Sequence, residues 1–290
     1  MNAETSTVQG FNNYLKRKGC SQQSTTSYTR QTGYYLSWLE RQGIEAEQAT
    51  NRDILGYIKS CQQKDNTQRT IQAKLGSINH YYEYLKVEER VLMNPTKGVE
   101  LKGIKRNMLY HTLEPHELHH LYQKHPLATA IQKRNKVVLG LVVYQGIKTE
   151  ELIRLEVNDI KVREGMIEIP QTRKGNHRTL KLQPEQVFDL YDYLQQVRPS
   201  IAPEETQQLF TASRFDVITR AILTQMKKIN PQVKNLQQLR ASVITKWLKQ
   251  YNFREVQYRA GHRYVSSTEK YKQNDLEGLQ EEINQFHPLG

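Results

Sequence analysis

The sequence predicts a mainly α protein in two units, with a small three-stranded antiparallel sheet in the second. Three observations carry that prediction. Apolar residues recur at spacings of three and four through most of the chain, the mark of helices with one buried face. Between residues 159 and 182 the period changes to alternation bounded by turn residues, the mark of short strands. Asn94-Pro95 and the polar, basic, glycine-containing stretch up to Asn107 interrupt the helical pattern, as an interdomain linker does.

Residues 1–100 form the first unit. Val8, Phe11 and Leu15, then Tyr28, Tyr35 and Leu39, then Ile54, Tyr57, Ile58 and Cys61, and finally Ile71, Leu75, Ile78, Tyr82 and Leu85 mark four helices that bury one face each in a bundle. Thr50, followed three residues later by Asp53, resembles a capping box at the start of the third, and Lys64-Asp65-Asn66 separates it from the fourth. Residues 101–109 are the basic linker and 110–274 the second unit.

In that second unit Pro115 suits the first turn of a helix whose apolar face is Leu118, Leu121 and Tyr122. Helices follow over Lys133–Tyr144 and Glu150–Leu155. Strands are expected at 159–163, 166–170 and 177–182, joined through Glu164-Gly165 and Lys174-Gly175-Asn176. After Pro184 the helical period returns over Val187–Leu194, Val217–Ile229 and Leu239–Leu248. Residues 275–290 add a tail with Leu276, Leu279, Ile283 and Phe286 on one stripe, too short to fold alone and so expected to dock.

Composition narrows the function. The 290 residues hold 42 Lys+Arg against 30 Asp+Glu, a formal charge of +12, which favours a polyanionic partner and places nucleic acid ahead of an anionic membrane. No apolar run is long enough to span a bilayer, and Met1-Asn2-Ala3-Glu4 lacks a signal-peptide pattern, so a cytoplasmic protein without a membrane partner is expected. Cys20 and Cys61 are then reduced packing residues.

Two motifs carry possible chemistry. His116-Glu117-Leu118-His119-His120 satisfies the zinc-protease pattern, but the helix that buries Leu118 and Leu121 turns His116 and His120 to the opposite face, and no third ligand is evident. No metal and no cofactor are expected. The second is Leu239-Arg240, then Ala260-Gly261-His262, then Tyr271 nine residues beyond the histidine. Singly, each has a plain reading: Tyr271 as one of 17 tyrosines used in packing, Arg240 as a surface charge, His262 as a cap after Gly261. Together they offer what phosphodiester exchange requires, a nucleophile and cations around the nonbridging oxygens, with a lysine to protonate the leaving oxygen.

The order of motifs resembles the tyrosine recombinase, or phage integrase, family. Gln237-Gln238-Leu239-Arg240 stands for its His-x-x-Arg box, Gly261-His262 for its Gly-His pair, and Tyr271 for its tyrosine. Gly146-Ile147-Lys148-Thr149-Glu150-Glu151-Leu152 matches the first motif except at Lys148, where the family has arginine, and Arg173-Lys174-Gly175-Asn176-His177-Arg178 matches the turn that carries its lysine. The first unit resembles the family's SAM-like core-binding domain.

The resemblance implies that Tyr271 forms a 3′-phosphotyrosyl link and frees a 5′-hydroxyl, with bond energy conserved and no cofactor. It implies that Arg240 clamps a nonbridging oxygen, His262 donates a hydrogen bond to the phosphate, Lys174 protonates the leaving oxygen and Glu151 holds the cation at position 148. Lys148 is a point charge that cannot form arginine's two-pronged clamp, and Gln237 cannot shuttle a proton, so a slow but competent enzyme is expected.

The implied partner is double-stranded DNA with a specific recombination site. Thr25, Thr26 and Arg30 on one helix and Thr67, Arg69, Thr70 and Lys74 on another are expected to approach the major groove, with Arg173 on a phosphate. Exchange of the tail between protomers implies a synaptic tetramer on DNA in the nucleoid, with room for an accessory protein. Moving a mobile element is favoured over chromosome resolution, because relaxed motifs are easier to tolerate in an element-borne enzyme. Two alternatives stand beside this: a DNA-binding architectural partner with decayed catalysis, and a type IB topoisomerase, whose monomeric action has no use for the tail stripe.

Overall fold

The computed structural model describes residues 3–102, 112–173, 175–203, 205–211 and 215–272. The chain divides into two compact units, Met1–Asn107 and Met108–Gly290. It is mostly helical with one small antiparallel sheet. Among the described residues no helix is long and apolar enough to cross a membrane.

The first unit consists of α1 (Ala3–Arg17), α2 (Gln22–Arg41), α3 (Asn51–Gln63) and α4 (Gln68–Val87). Side chains satisfy the orphan amides at three of their starts. Ser21 Oγ accepts from the amide of Ser24 and Thr67 Oγ1 from that of Thr70, both at 3.2 Å. Asp53 Oδ2 accepts from the Thr50 amide at 2.8 Å, the box read from the sequence. Phe11, Leu15, Tyr35, Leu39, Ile54, Ile71, Ile78, Tyr82 and Leu85 fill the core. The phenols of Tyr35 and Tyr82 lie 2.9 Å apart, and Tyr82 donates to the Ala46 carbonyl at 3.0 Å, so neither polar tip is stranded.

The second unit runs through α5 (Pro115–Gln123), α6 (Ala130–Gln145), α7 (Thr149–Leu152), β1 (Ile160–Lys161), β2 (Met166–Ile169), β3 (Arg178–Lys181) and α8 (Pro184–Asp192). A π-helical turn, Tyr193–Val197, leads into α9 (Arg198–Ile201), and α10 (Phe215–Ile229), α11 (Leu236–Gln250) and α12 (Phe253–Arg259) follow. Helix α6 is buried on every side from Val137 to Val143, because α5, α8, α10 and α11 all pack on it. The sheet order is β1-β2-β3, with Ile167 opposite Leu180 and Ile169 opposite Arg178.

Two expectations change, and α12 is an addition to them. The helix expected over Glu150–Leu155 is the four-residue α7, which ends at Leu152 before the chain turns through Val157–Asp159. The strands are shorter than their alternation suggested, because a helical turn at Val162–Glu164 and left-handed Gly165, φ 64°, close the first hairpin early. Helix α12 has too few apolar residues to show a period, and Val256 is its one buried residue. The tail at 275–290 and most of the linker at 101–109 lie outside the described residues.

Candidate active site

The site forms where the ends of several elements of the second unit converge. Asn235 starts α11 by accepting from the Gln238 amide at 2.9 Å, and this places Arg240 in the second turn, 6% exposed. One guanidinium nitrogen donates to the Gly146 carbonyl, the other to the Ala260 carbonyl at 2.6 Å. Gly146 ends α6 in the left-handed region, φ 58°, which suits glycine. Both anchors are neutral, so they orient Arg240 without cancelling its charge. Burial pulls its pKa down, and Glu151 and Tyr271 act in the opposite sense.

His262 follows Gly261, whose φ of 63° turns the chain out of α12. Its Nε2 is 3.2 Å from an Arg240 nitrogen and its Nδ1 2.9 Å from Thr268 Oγ1. Desolvation, then the positive charges of Arg240, Lys148 and Arg178, lower its pKa to about 3, so the imidazole is neutral near pH 7. A guanidinium only donates, so Nε2 accepts and Nδ1 carries the proton to Thr268. The expected hydrogen bond from His262 to phosphate is therefore not poised in this arrangement, because Nε2 is an acceptor.

Tyr271 lies in the helical stretch 265–272, partly buried against the core of the unit. Its ring stacks on His262 with centroids 5.7 Å apart and planes at 16°. The nine-residue offset thus spans a turn and part of a helix that bring the phenol back over the imidazole.

Lys148 stands immediately before α7, half-buried. Desolvation, then the charge of Arg240, lowers its pKa, while Glu151 and Glu150 raise it. Glu151 meets position 148 through the backbone: its Oε2 accepts the Lys148 amide at 2.9 Å. The side chain that Glu151 pairs with is Arg178, at 2.9 Å from each carboxylate oxygen, rather than the expected cation at 148. Both partners are 0% exposed. The physical reason is register, since Arg178 lies opposite Ile169 and shares the inward face with Leu180, so a charge on that face requires a buried counter-charge.

The second hairpin reaches the same place. Thr172 and Gly175 exchange backbone hydrogen bonds at 2.9 and 3.4 Å, and the Asn176 amide donates to the Gly261 carbonyl at 3.2 Å. A Cβ at Gly175 would lie 3.2 Å from Glu151 Oε1. Lys174 lies outside the described residues. Arg173 is exposed, and its carbonyl accepts from Arg263 at 3.4 Å. Gln237, one turn before Arg240, is exposed and makes no side-chain hydrogen bond among the described residues. Its neighbour Gln238 is buried, holding the Gln232 carbonyl at 3.0 Å and the Lys234 amide at 2.6 Å.

Two contributors were not assigned from sequence, Arg178 and Thr268. Arg178 carried a signal, a cation in step with Leu180 and Leu182 on the inward side of a strand. Thr268 carried none.

The residues expected at DNA divide by burial. Thr25 is 2% exposed in the bundle core and is corrected to a packing residue, since α2 turns it inward with Thr32 and Tyr35. Thr26, Arg30, Thr67, Arg69 and Thr70 are exposed, with Thr67 also capping α4. Lys74 is partly buried, donating to Asn66 Oδ1 at 3.2 Å. In the zinc-protease pattern His116 and His120 are exposed, while Glu117 accepts from the Glu114 amide at 2.8 Å and from Asn230 at 3.0 Å. That carboxylate is a helix cap. Among the described residues no group of three His, Cys, Asp or Glu could hold a metal ion.

Residues 111–277 match the phage integrase family, and residues 8–89 match the phage integrase N-terminal SAM-like domain. The chain belongs to the phage integrase family of tyrosine recombinases, and so to the DNA strand-transfer enzymes of site-specific recombination. It is 24% identical to tyrosine recombinase XerD of Chlorobaculum tepidum over 298 residues, covering 98% of this chain and 97% of that one. It is 26% identical to tyrosine recombinase XerC of Anoxybacillus flavithermus over 302 residues, covering 97% of each. Its fold is similar to that of the Tn1549 transposon integrase in complex with circular intermediate DNA, with a TM-score of 0.70 at 13% identity, covering 91% of this chain and 94% of that one.

Proposed function

We propose that the protein cuts and rejoins double-stranded DNA at a specific recombination site through a 3′-phosphotyrosyl intermediate, and that it moves a mobile element. The observation that carries this reading is the convergence of Arg240, His262 and Tyr271, from three separate stretches of chain, into one cluster.

Tyr271 Oη gives up its proton to solvent and attacks the scissile phosphorus, the bond to the 5′-oxygen breaks, and Lys174 supplies the proton that the departing oxygen needs. The phosphodiester energy is kept in the tyrosyl ester, so a 5′-hydroxyl from a second strand reverses the step without a cofactor. Arg240, anchored by two carbonyls, meets the nonbridging oxygens with its charge unspent. Lys148 adds a second cation, as a point charge rather than a planar clamp, and slows the reaction relative to an arginine. Exposed Thr26, Arg30, Thr67, Arg69 and Thr70 contact the duplex, as does Arg173. The tail at 275–290 docks on a neighbouring protomer and links a tetramer.

The mobile-element role draws on the relaxed positions Lys148 and Gln237 and on the likeness to a transposon integrase. A nicked suicide duplex carrying the cognate site tests the reading. Wild-type protein accumulates a detergent-stable covalent complex, and Tyr271→Phe binds the same duplex without forming one. Absence of a wild-type complex at a verified site overturns it. Removing residues from Asp275 onward leaves single-site binding intact and abolishes synapsis.

A further inference from the structure

Arg178 is fully buried and bonded on every side. Its two terminal nitrogens take one oxygen each of Glu151 at 2.9 Å, and its Nε donates to the Arg259 carbonyl at 2.8 Å. A third contact reaches the Asn176 carbonyl at 3.5 Å. One side chain therefore ties the start of α7, the hairpin beside Lys174 and the end of α12 that leads to His262. A Cβ on Gly261 would overlap the guanidinium, so the glycine of the Gly-His pair provides the room Arg178 occupies.

At 0% exposure Arg178 does not reach a phosphate. Its effect is on the charges that do. Among the described residues Glu151 is the one fully buried carboxylate of the site, and Lys148, Arg240 and Arg178 are the cations around it. An ammonium is a compact charge that a single carboxylate captures readily, and a captured lysine is lost to a substrate anion.

We propose that Arg178 is a positioning residue for strand transfer: by occupying both oxygens of Glu151 it keeps that carboxylate from capturing the Lys148 ammonium, which stays available to the scissile phosphate. This rests on the recombinase reading above. Among the described residues the groups that face Lys148 are Arg240 from α11, Glu150 and Glu151 from α7, Arg178 from β3 and the neutral His262 beyond α12.

The test pairs a rate with a titration on the full chain. Covalent-complex formation is timed on the suicide duplex, and the Lys148 side chain is titrated by NMR of ε-carbon-labelled lysine, assigned with Lys148→Gln. Arg178→Met slows the complex on the order of 100-fold and raises the Lys148 pKa, because the released carboxylate turns to it. Adding Glu151→Gln restores at least about tenfold of the rate and brings the pKa down again. A purely structural Arg178 also predicts some recovery of rate, because Glu151→Gln neutralises a stranded buried carboxylate, but it predicts no movement of the Lys148 titration in either variant. An unmoved Lys148 titration, or a double variant no faster than Arg178→Met, overturns the proposal. Where circular dichroism shows that Arg178→Met does not fold, Arg178→Lys replaces it, since one ammonium leaves a carboxylate oxygen open and moves Lys148 the same way. Should wild type form no covalent complex, the recombinase reading fails while the titration still decides the role of Arg178.

Discussion

Arg240 donates to Nε2 of His262 across 3.2 Å, and that contact selects the imidazole tautomer. Nδ1 then carries the proton and donates to Thr268 Oγ1 at 2.9 Å, inside a pocket that lowers the histidine's pKa to about 3. The neutral ring is thus a fixed acceptor stacked against the Tyr271 phenol.

Thr268→Val keeps the side-chain shape and removes the acceptor for Nδ1–H. The stranded donor costs about 1–3 kcal/mol of stability and frees the ring to change tautomer. Chemical denaturation shows the loss, and covalent-complex formation falls about tenfold, on the order of one neutral hydrogen bond.

Acid destabilises the catalytic unit through His262. The unfolded imidazole takes up a proton near its ordinary 6.5, whereas the folded one does so only at about 3. Below 6.5 the unfolded state binds more protons, so stability falls as pH drops from 6.5 toward 3, at no more than about 1.4 kcal/mol per pH unit. Urea unfolding at pH 7, 6 and 5 measures the slope, and His262→Asn makes it shallower in that window. Glu151, whose pKa is lowered by Arg178 against the opposing effect of burial, adds acid sensitivity only at lower pH.

Gly261→Ala is the most damaging small change in the site. Its φ of 63° is strained for any residue with a Cβ, and that Cβ would overlap the Arg178 guanidinium. The strain alone costs on the order of 1–3 kcal/mol. Thermal melting drops, and covalent complex is lost even below the melting temperature.

Lys148→Arg speeds cleavage about tenfold, since a planar fork engages two phosphate oxygens where an ammonium offers a point charge. Single-turnover rates on the suicide duplex read the change, and a slower variant shows instead that the pocket is shaped for lysine.

His116→Ala with His120→Ala leaves cleavage within about twofold, as expected of exposed side chains on a helix whose glutamate serves as a cap. Chelator likewise leaves the rate unchanged. A loss of activity in either experiment would reinstate the metal reading.

The parts legible in the sequence are those governed by local periods and fixed offsets. Four helices of the first unit follow from residues such as Ile54, Tyr57, Ile58 and Cys61, because burying one face of a helix imposes spacings of three and four. Glycine and turn residues mark both hairpins, and the sequence offset places Tyr271 relative to His262. The burial of Thr25 does not follow from the sequence, because the face of a polar, tyrosine-rich helix that turns inward is set by what packs on it, and its threonines look alike in sequence.

Taken alone, then, the sequence determined the helical class, the two units and the trio Arg240, His262 and Tyr271, since each depends on neighbours along the chain. Tertiary structure decided the electrostatics. Which cation Glu151 holds, which nitrogen of His262 bears the proton and how far its pKa falls depend on distances between residues as far apart in sequence as Glu151 and Arg178, Gly146 and Arg240. Charges interact through space and in proportion to burial, and neither quantity is written in local order.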